Sequence, residues 1–326
     1  MADENIYETF KECFVEVDAV PTHVIQFGLN NRITKHAVNI RSELSSHKYV
    51  IVMIPGNPGI IEYYKFFLAC IYSLLKIPII GISFAGHVNL PSNLAHSSSS
   101  DYFSLNGQIL HKLLFIETYI PKNVKIILIG HSIGAYMILL LLKTLDNRRA
   151  AVRNILLFPV IEKLTELRRT KIMTLMFTVF YYPLLFLTFL LSLLRLSWKE
   201  AIIRFALERC MHLHRYSEDI ISGTVNLVHV SVVKNVIALF QNEAKQVTEL
   251  DSRIIESHLD SLTFLYGDID HWCPLSYYEY MKQRFPNADV NLAFKGINHA
   301  FVIDKISANF VATTIYDKLK NYLREN

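Results

Sequence analysis

The sequence contains a candidate catalytic motif, a serine with a glycine two positions away on each side. Gly130, Ser132 and Gly134 lie between an apolar run, Val124 to Ile129, and an apolar helical stretch that begins at Ala135. A strand, a tight turn and a helix in this order form a nucleophile elbow, in which side chains at the glycine positions would clash and the serine hydroxyl stands above the sheet edge. The pattern predicts that Ser132 is a nucleophile. The alternative is an ordinary strand-to-helix turn whose glycines serve packing alone.

A serine hydroxyl attacks only when a base removes its proton and a carboxylate orients that base. His299 follows the last apolar run of the chain, where an enzyme with such an elbow presents its histidine. Asp270 follows the preceding apolar run, and Asp268 and Glu162 remain alternative acids. We therefore predict a catalytic triad of Ser132, Asp270 and His299. The other histidines weighed as the base, which we expect to pack or to face solvent, are His87, His212, His214 and His271.

Backbone N–H groups must also receive the negative oxygen of an acyl-transfer transition state. The segment Gly56-Asn57-Pro58-Gly59 follows the first of the apolar runs, where a loop donor is expected. Because Pro58 has no N–H, the predicted donor of this segment is Asn57. The N–H of Ile133, directly after the serine, is the predicted second donor. An ordinary proline-glycine turn is the alternative for residues 56–59.

Short apolar runs that end at glycine or proline alternate with helical segments along most of the chain. Such runs are typical of central strands in a parallel sheet covered on both faces. The predicted strands are 49–54, 77–84, 124–129, 153–158, 262–266 and 290–294, and the predicted helices are 62–76, 102–119, 135–145, 276–285 and 306–323. Residues 7–28 alternate apolar and polar around Pro21, which predicts an antiparallel hairpin, and the serines at 97–100 predict a surface loop. The fold class is therefore α/β, with a mostly parallel central sheet flanked by helices.

The composition excludes several classes of protein. Of 326 residues, 52% are hydrophobic and 19% are charged, and the mean hydropathy is +0.26. A chain this apolar has to bury its surface in a core or in lipid, so it is not a disordered protein. The net charge of +4 comes without a basic run, so no nucleic-acid partner is expected.

The cysteines indicate neither disulfides nor a metal site. Cys13, Cys70, Cys210 and Cys273 lie far apart, without the spacing of a zinc or redox motif. We therefore expect free thiols, no metal and no cofactor. The acidic start of the chain lacks the apolar stretch of a secretory signal, and the sequence contains no Asn-x-Ser/Thr acceptor. These features lead us to expect that the catalytic part faces the cytosol.

An apolar insertion interrupts the alternation between residues 163 and 260. Its residues 172–194 form a run of 23 residues without a formal charge, long enough for one membrane crossing and flanked by basic residues. A single crossing would put Ser132 and His299 on opposite sides of the membrane. Pro183 divides the run into two shorter halves, and the flanking basic residues favour the same side for both ends. The pattern predicts a shallow hairpin or a pair of interfacial helices. The alternative is a helical cap packed against the core.

These elements divide the chain into three predicted parts. Residues 1–162 form the first part of the catalytic core. Residues 163–260 form a large helical apolar cap, whose segment 172–194 embeds in a membrane or droplet. Residues 261–326 complete the core.

Six segments of the chain resemble those of a known family. They are Ile54-Pro55-Gly56-Asn57-Pro58-Gly59, Ala85-Gly86-His87, Leu105-Asn106-Gly107-Gln108, Gly130-His131-Ser132-Ile133-Gly134, Asp270-His271-Trp272-Cys273-Pro274 and Ile297-Asn298-His299-Ala300-Phe301. They are similar to segments of the lipid droplet-associated hydrolases, and the resemblance runs over nearly the whole chain. It implies an α/β-hydrolase fold with Ser132, Asp270 and His299 as the triad. It also implies attachment to lipid droplets and endoplasmic reticulum through the insertion, with a role in sterol and neutral-lipid turnover.

The leading hypothesis is a serine hydrolase of apolar carboxylic esters, such as sterol esters or other neutral lipids. It would work on the cytosolic face of lipid droplets and the endoplasmic reticulum, bound through residues 172–194. A second hypothesis is a weakly active or non-catalytic protein that coats or tethers droplets. A third is a soluble thioesterase or short-ester hydrolase with a buried cap.

Overall fold

A single eight-stranded sheet forms the centre of the described structure. The computed structural model of the chain describes residues 10–29, 40–91, 94, 101–145, 151–293 and 296–325. The strands are β1 (Lys11–Val17), β2 (Val20–Phe27), β3 (Tyr49–Ile54), β4 (Ile79–Ile82), β5 (Lys125–His131), β6 (Ala151–Leu157), β7 (Leu262–Tyr266) and β8 (Asp289–Leu292). Their order across the sheet is β1-β2-β4-β3-β5-β6-β7-β8. Pairing is parallel from β4 through β3, β5, β6 and β7 to β8, and antiparallel between β1, β2 and β4. The predicted fold class is confirmed.

Strands β3 and β4 are apolar along their whole length because both faces of the sheet are covered there. All six residues of β3 and four of β4 are buried, as expected for a strand with helices on both sides. The helices are α1 (Ile40–Leu44), α2 (Lys65–Leu75), α3 (Leu105–Tyr119), α4 (Ile133–Leu145), α5 (Arg168–Val179), α6 (Tyr181–Ser192), α7 (Leu196–Phe205), α8 (Glu218–Leu227), α9 (Val230–Gln246), α10 (Ser252–Ser257), α11 (Leu275–Arg284) and α12 (Lys305–Glu325). Helix α2 packs on α12, and α3 packs on α4.

The N-terminal hairpin exists, but its turn is not at Pro21. The turn consists of Asp18 and Ala19, whose φ angles of 48° and 60° are those of a two-residue hairpin turn. Pro21 lies inside β2, opposite Glu16 of the edge strand β1. The first residues of the predicted hairpin, the serine loop at 97–100 and the last residue of the predicted strand 290–294 lie outside the described residues.

The insertion between β6 and β7 contains α5 to α10. Helices α5 and α6 meet at an angle of 73°, and the break is at Phe180 rather than at Pro183. Pro183 lies in the first turn of α6, where its missing N–H leaves no helical bond unmade. In the described ranges, no single helix combines the length and the apolarity of a membrane crossing. Two bent pairs, α5 with α6 and α8 with α9, meet those criteria only when each pair is taken together.

Helices α5, α6 and α7 expose an unusual number of large apolar side chains. We call this set the apolar cap surface: Ile172, Leu175, Met176, Val179, Phe180, Tyr182, Phe186, Leu187, Phe189, Leu190, Leu193, Leu194, Leu196, Trp198, Ile202 and Phe205. Leu185 is the one apolar side chain of α5 and α6 that is buried. The set extends beyond the predicted segment 172–194 into α7. An exposed apolar set of this size is unusual for a surface that contacts only water.

Candidate active site

The nucleophile elbow forms at the junction of β5 and α4. Ser132 lies between the last residue of the strand and the first residue of the helix, with a φ of 55° that side chains rarely adopt. A Cβ atom on Gly130 would lie 2.6 Å from the carbonyl oxygen of Gly134. A Cβ atom on Gly134 would lie 2.4 Å from the carbonyl oxygen of Ile54 on the neighbouring strand. Glycine is therefore required at both positions by close backbone approach.

The structure brings Ser132, His299 and Asp270 into one chain of hydrogen bonds. His299 Nε2 lies 2.8 Å from Ser132 Oγ, and His299 Nδ1 lies 2.6 Å from Asp270 Oδ2. An ionised carboxylate only accepts hydrogen bonds. In a neutral His299 the proton is therefore on Nδ1, which donates a hydrogen bond to Asp270. Nε2 is then free to accept from the serine hydroxyl. This is the arrangement that turns a serine into a nucleophile.

Asp270 is held as a carboxylate by its surroundings. Burial would raise its pKa, but the electrostatic interaction with His299 and the hydrogen bonds that Asp270 accepts outweigh that effect, so the pKa of Asp270 lies below its ordinary value. Its Oδ1 accepts from the backbone N–H groups of Trp272 and Cys273, at 2.7 and 3.2 Å. Its Oδ2 accepts from the Cys273 thiol at 2.9 Å. The Asp-x-Trp-Cys-Pro segment is thus a turn that orients the carboxylate.

The two alternative acids lie elsewhere. Asp268 accepts from the backbone N–H of Gly296, at 3.0 Å to Oδ1, and so holds the loop that carries His299. Glu162 is buried, and both of its carboxyl oxygens lack a hydrogen-bond partner among the described residues. Burial raises the pKa of Glu162. Neither residue makes a hydrogen bond to His299 in the described structure.

The loop at residues 56–59 approaches the serine with one N–H uncommitted. Gly56 donates to the hydroxyl of Tyr64 at 2.8 Å, Pro58 has no N–H, and Gly59 donates to the carbonyl of Gly56 at 2.7 Å. The N–H of Asn57 is the donor that remains. Ile133 is the first residue of α4, so its N–H has no partner within the helix. Among the described residues, neither predicted oxyanion donor has its N–H committed to a hydrogen bond.

Two residues that the sequence analysis did not identify connect this loop to the histidine. His131 Nε2 lies 3.0 Å from the carbonyl oxygen of His299, and its Nδ1 lies 2.6 Å from Tyr64 Oη. Because a carbonyl only accepts, Nε2 carries the proton, Nδ1 accepts from Tyr64, and Tyr64 accepts from Gly56. Burial lowers the pKa of His131 to about 3, so the ring stays neutral. Tyr64 is 67 positions from His131, and no local pattern marks the pair.

His87, expected to pack or face solvent, packs beneath the same loop. Its Nδ1 donates to the carbonyl oxygen of Pro58 at 2.7 Å. Burial lowers the pKa of His87 to about 4. The side chains of His212, His214 and His271 are exposed.

An apolar cavity of about 290 Å³ opens onto Ser132 and His299. Met173 and Phe177 of α5 and Val236 and Phe240 of α9 contribute to its walls. Phe240 packs edge-on against both Phe177 and Trp272, with ring centroids 5.4 and 6.0 Å apart. Helix α5 thus lines the cavity with one part of its surface and exposes apolar side chains with another.

Within the part of the chain that the structure describes, two side-chain groups have ligand atoms close enough to hold a metal ion. They are Asp270, Cys273 and His299, and Glu12, His23 and Glu62. In the first group, the hydrogen bonds already described join the three side chains. In the second, His23 Nε2 lies 2.7 Å from Glu12 Oε1, and Glu62 accepts from Asn226 at 2.6 Å. Hydrogen bonds among protein groups thus account for these ligand atoms, and the absence of a cofactor remains an expectation.

Superposition on solved structures identifies the fold. A serine hydrolase from Cycloclasticus zankles superposes with a TM-score of 0.62 at 14% identity, covering 95% of this chain and 99% of its own. An epoxide hydrolase from Vigna radiata superposes with a TM-score of 0.61 at 14% identity, covering 96% and 99%. At such low identity the likeness concerns the fold alone, and it confirms the α/β-hydrolase fold.

Sequence comparison identifies the family. Residues 47–302 match the family model described as lipid-droplet associated hydrolase. The lipid droplet-associated hydrolase of Gallus gallus is 34% identical over 320 residues, covering 96% of this chain and 95% of the relative. That of Homo sapiens is 37% identical over 285 residues, covering 83% and 86%. The chain therefore belongs to the lipid droplet-associated hydrolase family.

Proposed function

We propose that the protein is a serine hydrolase of apolar carboxylic esters, with Ser132 as nucleophile, His299 as base and Asp270 as the orienting acid. The observation that carries the proposal is the hydrogen-bonded chain Ser132–His299–Asp270 opening into an apolar cavity. Cavity walls of this kind suit an acyl chain or a sterol better than a charged substrate.

The proposed reaction proceeds in two acyl transfers. Ser132 Oγ attacks the ester carbonyl while its proton passes to His299 Nε2, and the resulting oxyanion accepts from the N–H groups of Asn57 and Ile133. The intermediate collapses, and His299 returns the proton to the departing alcohol. Water then gives a proton to His299 and attacks the acyl-enzyme, which releases the carboxylic acid and restores Ser132.

We further propose that the apolar cap surface binds the protein to lipid droplets and to the cytosolic face of the endoplasmic reticulum membrane. Helix α5 belongs to this surface and also lines the cavity, so lipid contacting the surface lies near the catalytic serine. Sterol esters and other neutral lipids are the substrates such a route would deliver. The lipid-droplet association in the names of the relatives agrees with this location.

Labelling by a fluorophosphonate probe tests the chemistry. We expect the purified wild-type protein to be labelled, and the Ser132→Ala and His299→Ala variants to lose labelling, because either the nucleophile or its base is gone. Asp270→Asn should lower ester turnover by about 10⁴-fold, since the amide no longer holds the productive tautomer of the histidine. Asp268→Asn is the matched control and should have a much smaller effect.

Equal labelling of the His299→Ala protein would remove that histidine from the mechanism. A larger loss in Asp268→Asn than in Asp270→Asn would assign the acid to Asp268. Wild-type protein that binds droplets but neither reacts with the probe nor hydrolyses any ester would favour a coating or tethering protein. Turnover confined to thioesters or short esters, without binding to droplets, would favour a soluble esterase.

A further inference from the structure

The apolar cavity contains a second polar pair beside the triad. Its polar lining residues are Ser132, His299, Asn57 and Glu243. The first two belong to the proposed triad, and the backbone N–H of Asn57 is a proposed oxyanion donor. The side chains of Asn57 and Glu243 take no part in that chemistry. They come from two different elements and lie beside each other, Asn57 on the loop after β3 and Glu243 on α9.

Hydrogen bonding determines the orientation of the Asn57 amide. Its Nδ2 lies 3.2 Å from the carbonyl oxygen of Val236 and 3.1 Å from Glu243 Oε1. A carbonyl oxygen only accepts, so the atom facing Val236 must be the NH₂ nitrogen. Both of its hydrogens are then used, and Glu243 Oε1 is an acceptor. Asn57 Oδ1 is left buried without a hydrogen-bond partner among the described residues.

The surroundings of Glu243 favour a neutral carboxyl group, which can donate a hydrogen bond. Its side chain is buried, and burial raises the pKa of Glu243 to about 8, although the hydrogen bond from Asn57 acts in the opposite direction. Burial therefore favours the protonated form of this carboxyl group near pH 7. Because Oε1 accepts from Asn57, the proton resides on Oε2.

The pair has one unsatisfied acceptor, Asn57 Oδ1, and one acid O–H, on Glu243, and both residues line the cavity. A buried acceptor without a donor is unfavourable, because it has lost its hydrogen bonds to water and gained none. A fully esterified lipid has only carbonyl and ester oxygens and cannot donate to Asn57. A hydroxyl group both donates to Asn57 Oδ1 and accepts from Glu243, so it satisfies both.

We propose that Asn57 and Glu243 recognise a hydroxyl group of the substrate, and that the preferred substrates are neutral esters with a free hydroxyl near the ester bond. Partial esters of a polyol belong to this class and should be hydrolysed faster than sterol esters and other fully esterified lipids. This inference rests on the proposed function, since it concerns the substrate that Ser132 attacks. A phosphate or carboxylate would meet an unpaired acceptor in an apolar cavity and is disfavoured.

A matched pair of esters tests the inference. 2-Hydroxyethyl decanoate and 2-methoxyethyl decanoate have the same acyl chain and nearly the same alcohol, and only the first has a hydroxyl donor. We expect the wild-type kcat/KM to be at least about tenfold higher for the hydroxyl ester, because the methoxy ester leaves Asn57 Oδ1 unpaired. In Glu243→Gln the amide still accepts from Asn57 and donates to the substrate, so most of the preference should remain.

Glu243→Leu should reduce the ratio for the two esters to about one, because the donor is removed. Glu249→Leu is the matched control, since Glu249 is an exposed acid a few residues further along the chain. It should keep the wild-type ratio. The fluorophosphonate labelling rate of each variant reports whether the site around Ser132 is intact.

The inference is overturned if the wild-type protein hydrolyses both esters equally well, a measurement that does not depend on the folding of any variant. It is also overturned if Glu243→Leu labels normally and keeps the preference. A stronger preference for 2-aminoethyl decanoate would assign the pair to an amine instead. Failure of the proposed function would give a different result from these outcomes. The hydrolysis of both esters would then be absent, or would be unaffected by Ser132→Ala.

Discussion

Two aspartates on the apolar cap surface test the proposed droplet attachment most directly. Leu187 and Leu193 are 53% and 67% exposed, so replacing both with aspartate removes few contacts within the fold. Exposed substitutions of this kind usually change the free energy of unfolding by less than about 0.5 kcal/mol. Leu185 is unsuitable, although it lies in the same run, because it is only 9% exposed and a charge there would disturb the packing of α6.

The expected loss of binding is large. A charge moved into the apolar part of a membrane costs about 2.5 to 3.5 kcal/mol, and shallow insertion lowers that to about 2 kcal/mol for each aspartate. Two such charges correspond to about 4 kcal/mol, which is a fall of about 10³-fold in the partition coefficient. The double variant Leu187→Asp/Leu193→Asp should therefore move from the floating lipid fraction to the soluble fraction.

Flotation of the purified protein with phospholipid-coated triolein droplets measures the partition. The matched control is Leu110→Asp, since Leu110 is a leucine of α3 with 46% exposure outside the apolar cap surface. The control should float like the wild-type protein. Fluorophosphonate labelling of Ser132 and turnover of a soluble short ester should be unchanged in the double variant, whereas turnover of droplet-borne ester should fall.

A double variant that floats as well as the wild-type protein would refute the assignment of this surface to lipid binding. If it aggregates or no longer labels, α6 is a packed part of the catalytic unit rather than a lipid contact. Equal release of Leu110→Asp would mean that added negative charge, not its position, reduces binding.

Two further predictions concern buried polar groups. Burial lowers the pKa of Lys112 to about 7, against an ordinary value of 10.5. Between pH 7 and 10.5 the unfolded chain therefore binds more protons at this residue than the folded chain does. The stability of the wild-type protein should rise with pH over that range. Urea unfolding at several pH values should find that Lys112→Met lacks this part of the rise, and identical slopes would contradict the burial argument. Tyr64→Phe leaves the N–H of Gly56 and Nδ1 of His131 without their partner, which should cost about 1 to 3 kcal/mol of unfolding free energy and slow the labelling of Ser132. Unchanged stability and unchanged labelling of Tyr64→Phe would mean that the hydrogen bonds of Tyr64 to Gly56 and His131 do not position the active site.

Local patterns predicted much of the fold and the candidate site. The strands 49–54 and 262–266 have the predicted bounds, because a parallel strand buried on both faces needs a continuous apolar run in the sequence itself. The nucleophile elbow could also be predicted from the sequence, because the steric requirement for glycine on both sides of Ser132 involves only five consecutive residues. Asp270 and His299 were predicted from their positions in loops that each follow an apolar run, and the family resemblance implied the same two residues.

Other features depend on contacts between distant parts of the chain, which only the tertiary structure decided. Asn57 and Glu243 are separated by 186 positions, and the hydrogen bond between them orients an amide that no local pattern describes. In the uncharged run 172–194, composition does not distinguish buried Leu185 from exposed Leu187, because burial depends on which side of α6 faces the rest of the fold. Sequence periodicity reflects interactions between residues that are close in the chain. The burial and the hydrogen-bond partners of a side chain depend instead on distant residues that the fold brings next to it.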